Sequence, residues 1–383
     1  MPRDDDPLPS TFRRVMCLRC GFGDVVMSVP ALRAWRAEQR TPVLWLATRP
    51  AVDLVEVLAR PEDAVGTYLQ LGLRHWGDRG DDAAREKSAA WAAALDDATR
   101  FVGLMHAPEG LRDAAVAAGF GDANAQEDQP VELAAAVGGA GTAAFVSDAA
   151  AAGWGLSAPP EAVASVEPPP PHARAAEAWL GALGLPRGRR PLLAAAVNGG
   201  SDLKVWPPQR VAEVLIGRPA GTDAVLIAGP DAERAAAVQR RLPEPLPALG
   251  PAHLLTAAAV LARCTALLTN DSGLLHLAAA VGTPTVAVFG PTRAKLYMPR
   301  VERGGRFAGE ALESTTPCPL REPDRLGPPA CVVEGVCRIA GLRSCVDAVP
   351  VGPVAAAVGR ALEPSQNRPL RHPPGSAAAK ILP

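Results

Sequence analysis

Hydrophobic and polar positions alternate in blocks along this chain, and each block predicts one element of an α/β fold. Short apolar runs bounded by turn residues predict buried strands at 14–18, 43–47, 191–197, 224–228, 266–269 and 285–289. Apolar residues at helical spacing predict helices at 25–36, 173–183, 209–216, 232–241, 254–263 and 351–362. This alternation indicates two doubly wound, Rossmann-like domains that face each other across a cleft.

The boundaries follow from changes in composition. Alanine-rich sequence blurs the pattern between the two halves, where helices at 83–98 and 111–118 and a strand at 101–104 are the elements that can be read. The proline run at 168–171 favours an extended linker. We therefore predict a disordered start, a first domain, a linker, a second domain, a last helix and a disordered tail, with bounds 1–12, 13–157, 158–173, 174–350, 351–362 and 363–383.

The most informative stretch runs from Ala266 to Pro291 and reads as strand, turn, helix and strand. Its turn, Asp271-Ser272-Gly273, starts the helix immediately after a strand. Such a helix start directs unpaired amides and a positive dipole end toward the carboxyl edge of the sheet, where an anion can bind. His276 follows one turn later. Taken alone, this stretch is more typical of a simple helix cap with a packed histidine than of a diphosphate site.

Three further polar turns are expected at the carboxyl edges of the two sheets, because ligands in these folds bind where strands end. Gly21 and Gly23 allow a tight turn that leaves Asp24 at the first edge, either as a helix cap or as a general base, and the segment alone favours the cap. In the second half, the turns carry Ser201 with Lys204, and Asp231 with Glu233. Lysine is rare in this chain, where it occurs at 87, 204, 295 and 380.

Charge and composition exclude several functions. The chain has 39 basic and 40 acidic residues among 383, and this balance leaves no electrostatic footprint for nucleic acid. An acidic, proline-broken start and the lack of a long apolar run argue against an export signal and a membrane span, so a cytoplasmic location is expected. A mild basic patch at 368–380 is typical of solvation, and weak attraction to the inner membrane surface is the minor interpretation.

Seven cysteines in such a chain suggest reduced thiols. Four of them cluster late in the sequence, at 318, 331, 337 and 345. Their spacing is irregular, so metal-free structural thiols are favoured over a four-thiolate metal site.

Several of these motifs together resemble glycosyltransferase family nine, the bacterial ADP-heptose:lipopolysaccharide heptosyltransferases, which have the two-domain GT-B fold. The opening strand and turn through Asp24, with Pro30-Ala31-Leu32, is the first similar segment, and Lys204-Val205-Trp206-Pro207 is the second. The third runs from Thr269 through His276 to Thr292 and is the most specific. The segment from Cys337 to Val346 also resembles the family before its final helix.

The resemblance implies a role for each of these residues. Asp24 would be the catalytic base on the acceptor side, and Lys204 would meet the donor diphosphate together with Asp271, Ser272 and Gly273, with His276 nearby. Asp231 or Glu233 would approach the nucleotide ribose. The reaction would need no cofactor and no metal, because a lysine and helix amides can supply the positive field for the departing diphosphate. A single displacement would invert the anomeric carbon.

Two departures from the family pattern concern the sugar and nucleotide contacts. Ser28 stands where a threonine is common, and Asn198-Gly199-Gly200 replaces a turn of the H-P-G-A type. Two other functions stay open at this point: a nucleotide-sugar epimerase of the same fold, and a non-catalytic nucleotide-sugar-binding relative. The partners expected in each case are a nucleotide-sugar donor and, for the transferase, a glycan or glycolipid acceptor.

Overall fold

The computed structural model describes residues 6–18, 20–73, 81–95, 99–104, 164–185, 190–299, 302–303, 306–307, 309–321 and 329–363. Within these ranges the chain forms two parallel sheets, each flanked by helices. We call the elements from β1 to β4 the first domain and those from β5 to β12 the second domain. None of the helices in the described ranges is both long and apolar enough to cross a membrane.

The first domain contains four parallel strands in the order β3-β2-β1-β4. Its elements are β1 (Arg14–Leu18), α1 (Phe22–Glu38), β2 (Leu44–Ala47), α2 (Val52–Val55), β3 (Ala64–Thr67), α3 (Asp82–Ala93) and β4 (Arg100–Leu104). All four residues of β2 are buried, as expected for a strand covered on both faces.

The second domain contains six parallel strands in the order β12-β9-β8-β5-β6-β7. Its elements, with the helix that precedes it, are α4 (Pro170–Ala182), β5 (Leu192–Ala196), α5 (Pro208–Ile216), β6 (Asp223–Ile227), α6 (Ala232–Gln239), β7 (Ala248–Leu249), α7 (Leu254–Leu261), β8 (Ala266–Asn270), α8 (Gly273–Ala280), β9 (Thr285–Phe289), α9 (Ala294–Tyr297) and β12 (Gly309–Glu313). A short antiparallel pair, β10 (Glu302–Arg303) and β11 (Arg306–Phe307), precedes β12, and α10 (Ala330–Glu334) and α11 (Val351–Leu362) follow it.

Most predicted elements are present, and the differences have physical reasons. The helix predicted from Ala173 begins at Pro170, because proline is well suited to the first turn of a helix. The last residues of the predicted linker are therefore helical. The predicted helix at 111–118, the first part of the linker and the tail from residue 364 lie outside the described residues.

The predicted disorder of residues 1–12 is wrong for residues 6–12. Leu8 and Phe12 pack against the core cluster on one face of the first sheet. The backbone is fixed as well, since Trp91 Nε1 donates a hydrogen bond to the carbonyl of Pro9 at 3.0 Å. Burial of two large apolar side chains in this segment offsets the entropy of ordering it.

A buried ion pair anchors the far end of α1. The Arg36 and Asp63 side chains are 3% and 0% exposed, and Arg36 Nη2 lies 2.6 Å from Asp63 Oδ1. Asp63 also accepts hydrogen bonds from the indole of Trp45 at 3.0 Å and from the backbone N–H of Val43 at 2.9 Å. Although burial opposes ionisation, these donors lower the pKa of Asp63 to about 2.

The two domains meet through the N-terminal turns of α1 and α8. A Cβ placed on Gly23 in α1 would lie 2.9 Å from the Cα of Gly273 in α8. A Cβ on Gly273 would in turn lie 2.4 Å from the ring of Phe22. A side chain at Gly23 would therefore press on backbone, and one at Gly273 would displace the Phe22 ring. The two glycines let two helix starts, one from each sheet edge, lie directly against each other.

Candidate active site

Lys204 and Asp271 form the ionic centre of the site at this meeting point. Lys204 ends a short 3-10 turn, Asp202–Lys204, after β5, and Asp271 follows β8. Lys204 Nζ lies 2.7 Å from Asp271 Oδ2, and the two side chains are 18% and 5% exposed. Because β5 and β8 are neighbours in the sheet, their carboxyl ends bring the two residues together, as the sequence predicts.

The Asp271 carboxylate holds the lysine in place. Thr292 donates its hydroxyl to Asp271 Oδ2 at 2.5 Å. Burial opposes ionisation of Asp271, but the Lys204 ammonium and the Thr292 hydrogen bond outweigh it and lower the pKa of the carboxyl. Asp271 is therefore an anion that faces a cation, so any anionic ligand here meets Lys204 and the helix amides rather than this carboxylate.

The start of α8 leaves its first amides uncapped by a side chain. Ser272 occupies the N-cap position, but its side chain makes no cap hydrogen bond. Its Oγ lies 3.2 Å from the hydroxyl of Thr269 instead. A helix start whose N–H groups are not taken by a side-chain cap is a suitable anion site. Ser201 differs, because its side chain caps the turn that carries Lys204 and accepts the N–H of Leu203 at 3.4 Å.

Asp24 lies across the domain contact, in the first turn of α1. Gly21 is the N-cap residue, so Asp24 does not occupy the cap position that the sequence alone favours. Burial raises the pKa of Asp24 to about 6, although the nearby Lys204 ammonium and backbone N–H groups oppose the rise. A half-buried carboxyl with that pKa is ionised at neutral pH and retains an appreciable affinity for a proton.

His276 combines the two interpretations that the sequence leaves open. Its ring is packed at the contact, since its Cδ2 lies 3.3 Å from a Cβ placed on Gly23. Its Nδ1 is nevertheless buried with no hydrogen-bond partner. Burial lowers the pKa of His276 to about 4, despite the neighbouring Asp271 carboxylate. The imidazole is therefore neutral at physiological pH and has one ring nitrogen available for a ligand.

The sequence interpretation assigned no supporting role to Asn270 and Thr292. Asn270 joins the two turns of the ionic centre, since its Oδ1 accepts the backbone N–H of Trp206 at 3.0 Å and its Nδ2 donates to the carbonyl of Asn198 at 3.1 Å. Both residues belong to the stretch from Thr269 to Thr292 that resembles the family. Asn270 ends the buried strand β8 and Thr292 lies in the turn after β9, and a polar residue at or just after a buried strand is the signal that could have identified each of them.

Asp231 and Glu233 lie at the start of α6. Asp231 is the N-cap residue and accepts the backbone N–H of Arg234 at 3.1 Å. Its carboxylate also lies 3.0 Å from Arg234 Nε. Glu233 is exposed in the same turn. Asp231 is thus engaged in local structure, and which of the two acids approaches a ribose stays a prediction.

All seven cysteines lie in the described ranges, and none of them forms a disulfide. The four late ones line one small cavity together with Leu203 and Ser344. Burial raises the pKa of Cys345 to about 11, so this thiol is protonated at neutral pH and is a weak nucleophile. That these thiols hold no metal stays a prediction.

One known protein family matches the part of the chain that carries Lys204 and Asp271. The model of glycosyltransferase family 9 (heptosyltransferase) matches residues 147–315, which include Lys204 and Asp271 but not Asp24. Lipooligosaccharide heptosyltransferase 2 of Haemophilus influenzae is 54% identical over 43 residues, and lipopolysaccharide heptosyltransferase 2 of Escherichia coli is 49% identical over 43 residues. Each match spans 11% of this chain and 12% of the relative.

Solved structures extend the similarity to most of the chain at the level of the fold. The glycosyl transferase family 9 structure from Veillonella parvula is 17% identical, with a TM-score of 0.65 over 93% of this chain and 99% of that one. The E. coli ADP-heptose lps heptosyltransferase II is 16% identical, with a TM-score of 0.60 over 92% and 98%. The GT-B fold predicted from the sequence is thus confirmed, and residues 147–315 are similar to glycosyltransferase family 9.

Proposed function

We propose that the chain is an inverting glycosyltransferase that moves a sugar, most simply heptose from ADP-heptose, onto a hydroxyl of a glycan or lipopolysaccharide-type acceptor. The observation that carries the proposal is the placement of Asp24, with its raised pKa, opposite the Lys204–Asp271 pair and the start of α8. One domain presents a proton acceptor, and the other presents positive charge and free amides. These are the two groups that glycosyl transfer from a nucleoside diphosphate requires.

The proposed reaction is a single displacement. Asp24 accepts the proton of the acceptor hydroxyl while the hydroxyl oxygen forms the new bond to the anomeric carbon. The bond from that carbon to the diphosphate breaks, and its electron pair leaves with the diphosphate. Lys204 and the first amides of α8 stabilise the growing negative charge, so no metal is needed at the reacting atoms. Attack opposite the leaving group inverts the anomeric centre.

The neighbouring residues keep this arrangement fixed. Asp271 and Thr292 hold the lysine, and Asn270 holds the turn that carries it. We propose that Ser201 and one of Asp231 and Glu233 contact the donor further out, toward the nucleoside. A neutral His276 adds no charge that competes with Lys204 for the diphosphate.

The relatives' names suggest where the enzyme acts. Two of them are named for lipooligosaccharide or lipopolysaccharide, which are glycolipids. We accordingly propose a cytoplasmic enzyme that meets a glycolipid acceptor at the inner face of the inner membrane. Nucleic acid is not among the proposed partners.

Product analysis tests the proposal. The protein is incubated with ADP- and UDP-linked sugars and deacylated core-glycan acceptors, and the products are identified by mass spectrometry and by proton NMR of the anomeric centre. We expect release of ADP, a glycan enlarged by one heptose with inverted configuration, and an initial rate at 25 °C that EDTA does not change. An epimerised nucleotide sugar without transfer would support the epimerase instead, and donor binding with no product would support the non-catalytic relative.

A further inference from the structure

A second cluster of polar side chains lies where the first domain, helix α4 and helix α7 meet. Glu56 directly follows α2, His172 lies in the first turn of α4, and His253 is the N-cap residue of α7. One potential ligand atom from each lies within 4.8 Å of the other two. Across the described part of the chain, this is the group of histidine, cysteine and acidic residues that meets that spacing. It shares no residue with the active site.

The individual distances indicate how the cluster is arranged. His172 Nε2 lies 3.2 Å from Glu56 Oε2, and His253 Nε2 lies 3.9 Å from the same oxygen. The two imidazoles are stacked, with ring centroids 4.3 Å apart and planes inclined by 22°. Asp53 adds a second carboxylate, since its Oδ1 lies 3.4 Å from His253 Nε2. Two ring nitrogens thus face two carboxylates.

We propose that this cluster binds one divalent transition-metal ion of the zinc class. Two imidazole nitrogens and one carboxylate oxygen form a donor set that zinc accepts, with water in the fourth position. Bonds of about 2.0–2.1 Å place neighbouring tetrahedral ligands about 3.3 Å apart. The distances of 3.2 and 3.9 Å from Glu56 bracket that spacing, and the two stacked rings have to tilt toward a shared ion to bind it together.

The surroundings of each histidine suit a ligand. His172 Nδ1 lies 2.8 Å from Thr256 Oγ1, which orients the ring and directs Nε2 toward Glu56. His253 Nδ1 accepts the N–H of Leu255 at a long 3.3 Å. Metal binding through Nε2 moves the His253 proton to Nδ1 and gives up this hydrogen bond. The start of α7 remains capped, because Asp53 Oδ2 accepts the N–H of Leu254 at 2.8 Å.

The ion can reach the cluster from solvent. The side chains of His172 and His253 are 15% and 25% exposed, and that of Glu56 is 44% exposed. Since the three ligands come from three elements, a bound ion joins the first domain to α4 and α7. Binding to the folded chain stabilises it by mass action, so the ion raises the melting temperature without entering the chemistry at Asp24.

Cobalt is a suitable probe because its absorption spectrum distinguishes nitrogen and oxygen ligands from thiolates. The full chain is stripped with EDTA, kept reduced with a phosphine, and titrated with CoCl₂. We expect one ion per chain, visible absorption bands without a thiolate-to-cobalt charge-transfer band, and a rise in melting temperature. His172→Gln and Glu56→Gln should each weaken binding at least tenfold and abolish the rise, since each removes one ligand.

Two control variants distinguish this site from an exposed acid elsewhere and from the late cysteines. Glu213→Gln removes an exposed acid on α5, and Cys331→Ser removes one of the late thiols; both should bind cobalt as the wild type does. Unchanged melting temperature and ADP binding of the metal-free variants verify that they fold. Equal affinity in wild type, His172→Gln and Glu56→Gln, or loss of binding in Cys331→Ser with a charge-transfer band in the wild type, would overturn the proposal.

Discussion

Each domain contains a carboxylate paired with a cation in its interior, but the two pairs differ in whether the cation keeps hydrogen-bond donors for a ligand. In the first domain, Asp63 accepts hydrogen bonds from two nitrogens of Arg36, at 2.8 and 2.6 Å, and from further N–H groups of the surrounding chain. In the second, Asp271 receives Lys204 and the hydroxyl of Thr292. Lys204 is 18% exposed, whereas Arg36 is 3% exposed.

This difference separates a structural pair from a functional one. A pair that is fully buried and fully hydrogen-bonded has nothing left to offer a ligand. A lysine that is partly exposed beside an uncapped helix start retains donors for an anion. Asp24 is a third case: it lies close enough to Lys204 for the ammonium to oppose the rise in its pKa, yet burial prevails and that pKa stays high. The predictions below test these three assignments.

The largest effect is expected for Asp24→Asn. The variant keeps the size of the side chain and removes the proton acceptor, so turnover should fall roughly 10²–10⁴-fold. ADP affinity, measured by calorimetry, should stay within about twofold, because the donor groups lie on the other domain. Asp81→Asn, a substitution elsewhere in the same domain, serves as the control and should retain wild-type turnover. A near-normal rate in Asp24→Asn would remove this residue from the mechanism.

Arg36→Met should cause the next largest effect, on stability alone. Removing the arginine leaves the buried Asp63 carboxylate without its cation, which costs about 3–5 kcal/mol in the free energy of unfolding. Urea unfolding measures this loss, and calorimetry without urea should show unchanged ADP binding. The control is Arg360→Met, which breaks an exposed pair with Glu310 and should cost at most about 1 kcal/mol. Equal losses in the two variants would contradict the structural assignment.

Lys204→Met should weaken ADP binding strongly and reduce stability less than Arg36→Met does. Loss of a charged donor to the diphosphate should weaken ADP binding about 10–100-fold. The free energy of unfolding should fall less than in Arg36→Met, because Asp271 can take up a proton and keeps its hydrogen bond from Thr292. Lys87→Met, on the exposed face of α3, is the matched control. Unchanged ADP affinity in Lys204→Met would refute the placement of the diphosphate.

The smallest predicted effect is a gain in stability. The pKa of Asp24 is raised from 3.8 to about 6, so the folded state binds the proton more tightly than the unfolded state. Ionised Asp24 therefore costs stability above pH 6 and costs nothing below about pH 4. Asp24→Asn should raise the free energy of unfolding by about 1–3 kcal/mol at pH 8 and leave it nearly unchanged at pH 4. Denaturant titrations at the two pH values measure the difference.

The sequence predicted the second domain better than the first, for identifiable reasons. Strands such as 285–289 are rich in β-branched residues and end at glycine or proline, so their bounds were correct. The alanine-rich stretch after Val52 gives a weak period, and β3 and the two-residue β7 were missed because each is too short to show one.

The site could be predicted only in part for a similar reason. Residues that follow strands in one sheet, such as Lys204 and Asp271, are brought together by topology, which the pattern reveals. The contact of Gly23 with Gly273 depends on how two domains pack, and no local pattern encodes it. Glu56, His172 and His253 escaped notice for the same reason, since 116 positions separate the first two in sequence.

The pH dependence of kcat/KM, which reports the pKa values of the free enzyme, tests the central claim, that Asp24 is the general base. If it is, the wild-type kcat/KM should rise tenfold per pH unit in acid and level off with a midpoint near the Asp24 pKa of about 6. In Asp24→Asn kcat/KM should be low and should lack that midpoint. A wild-type kcat/KM that does not change through pH 6, or a midpoint near 6 that persists in Asp24→Asn, would contradict the account.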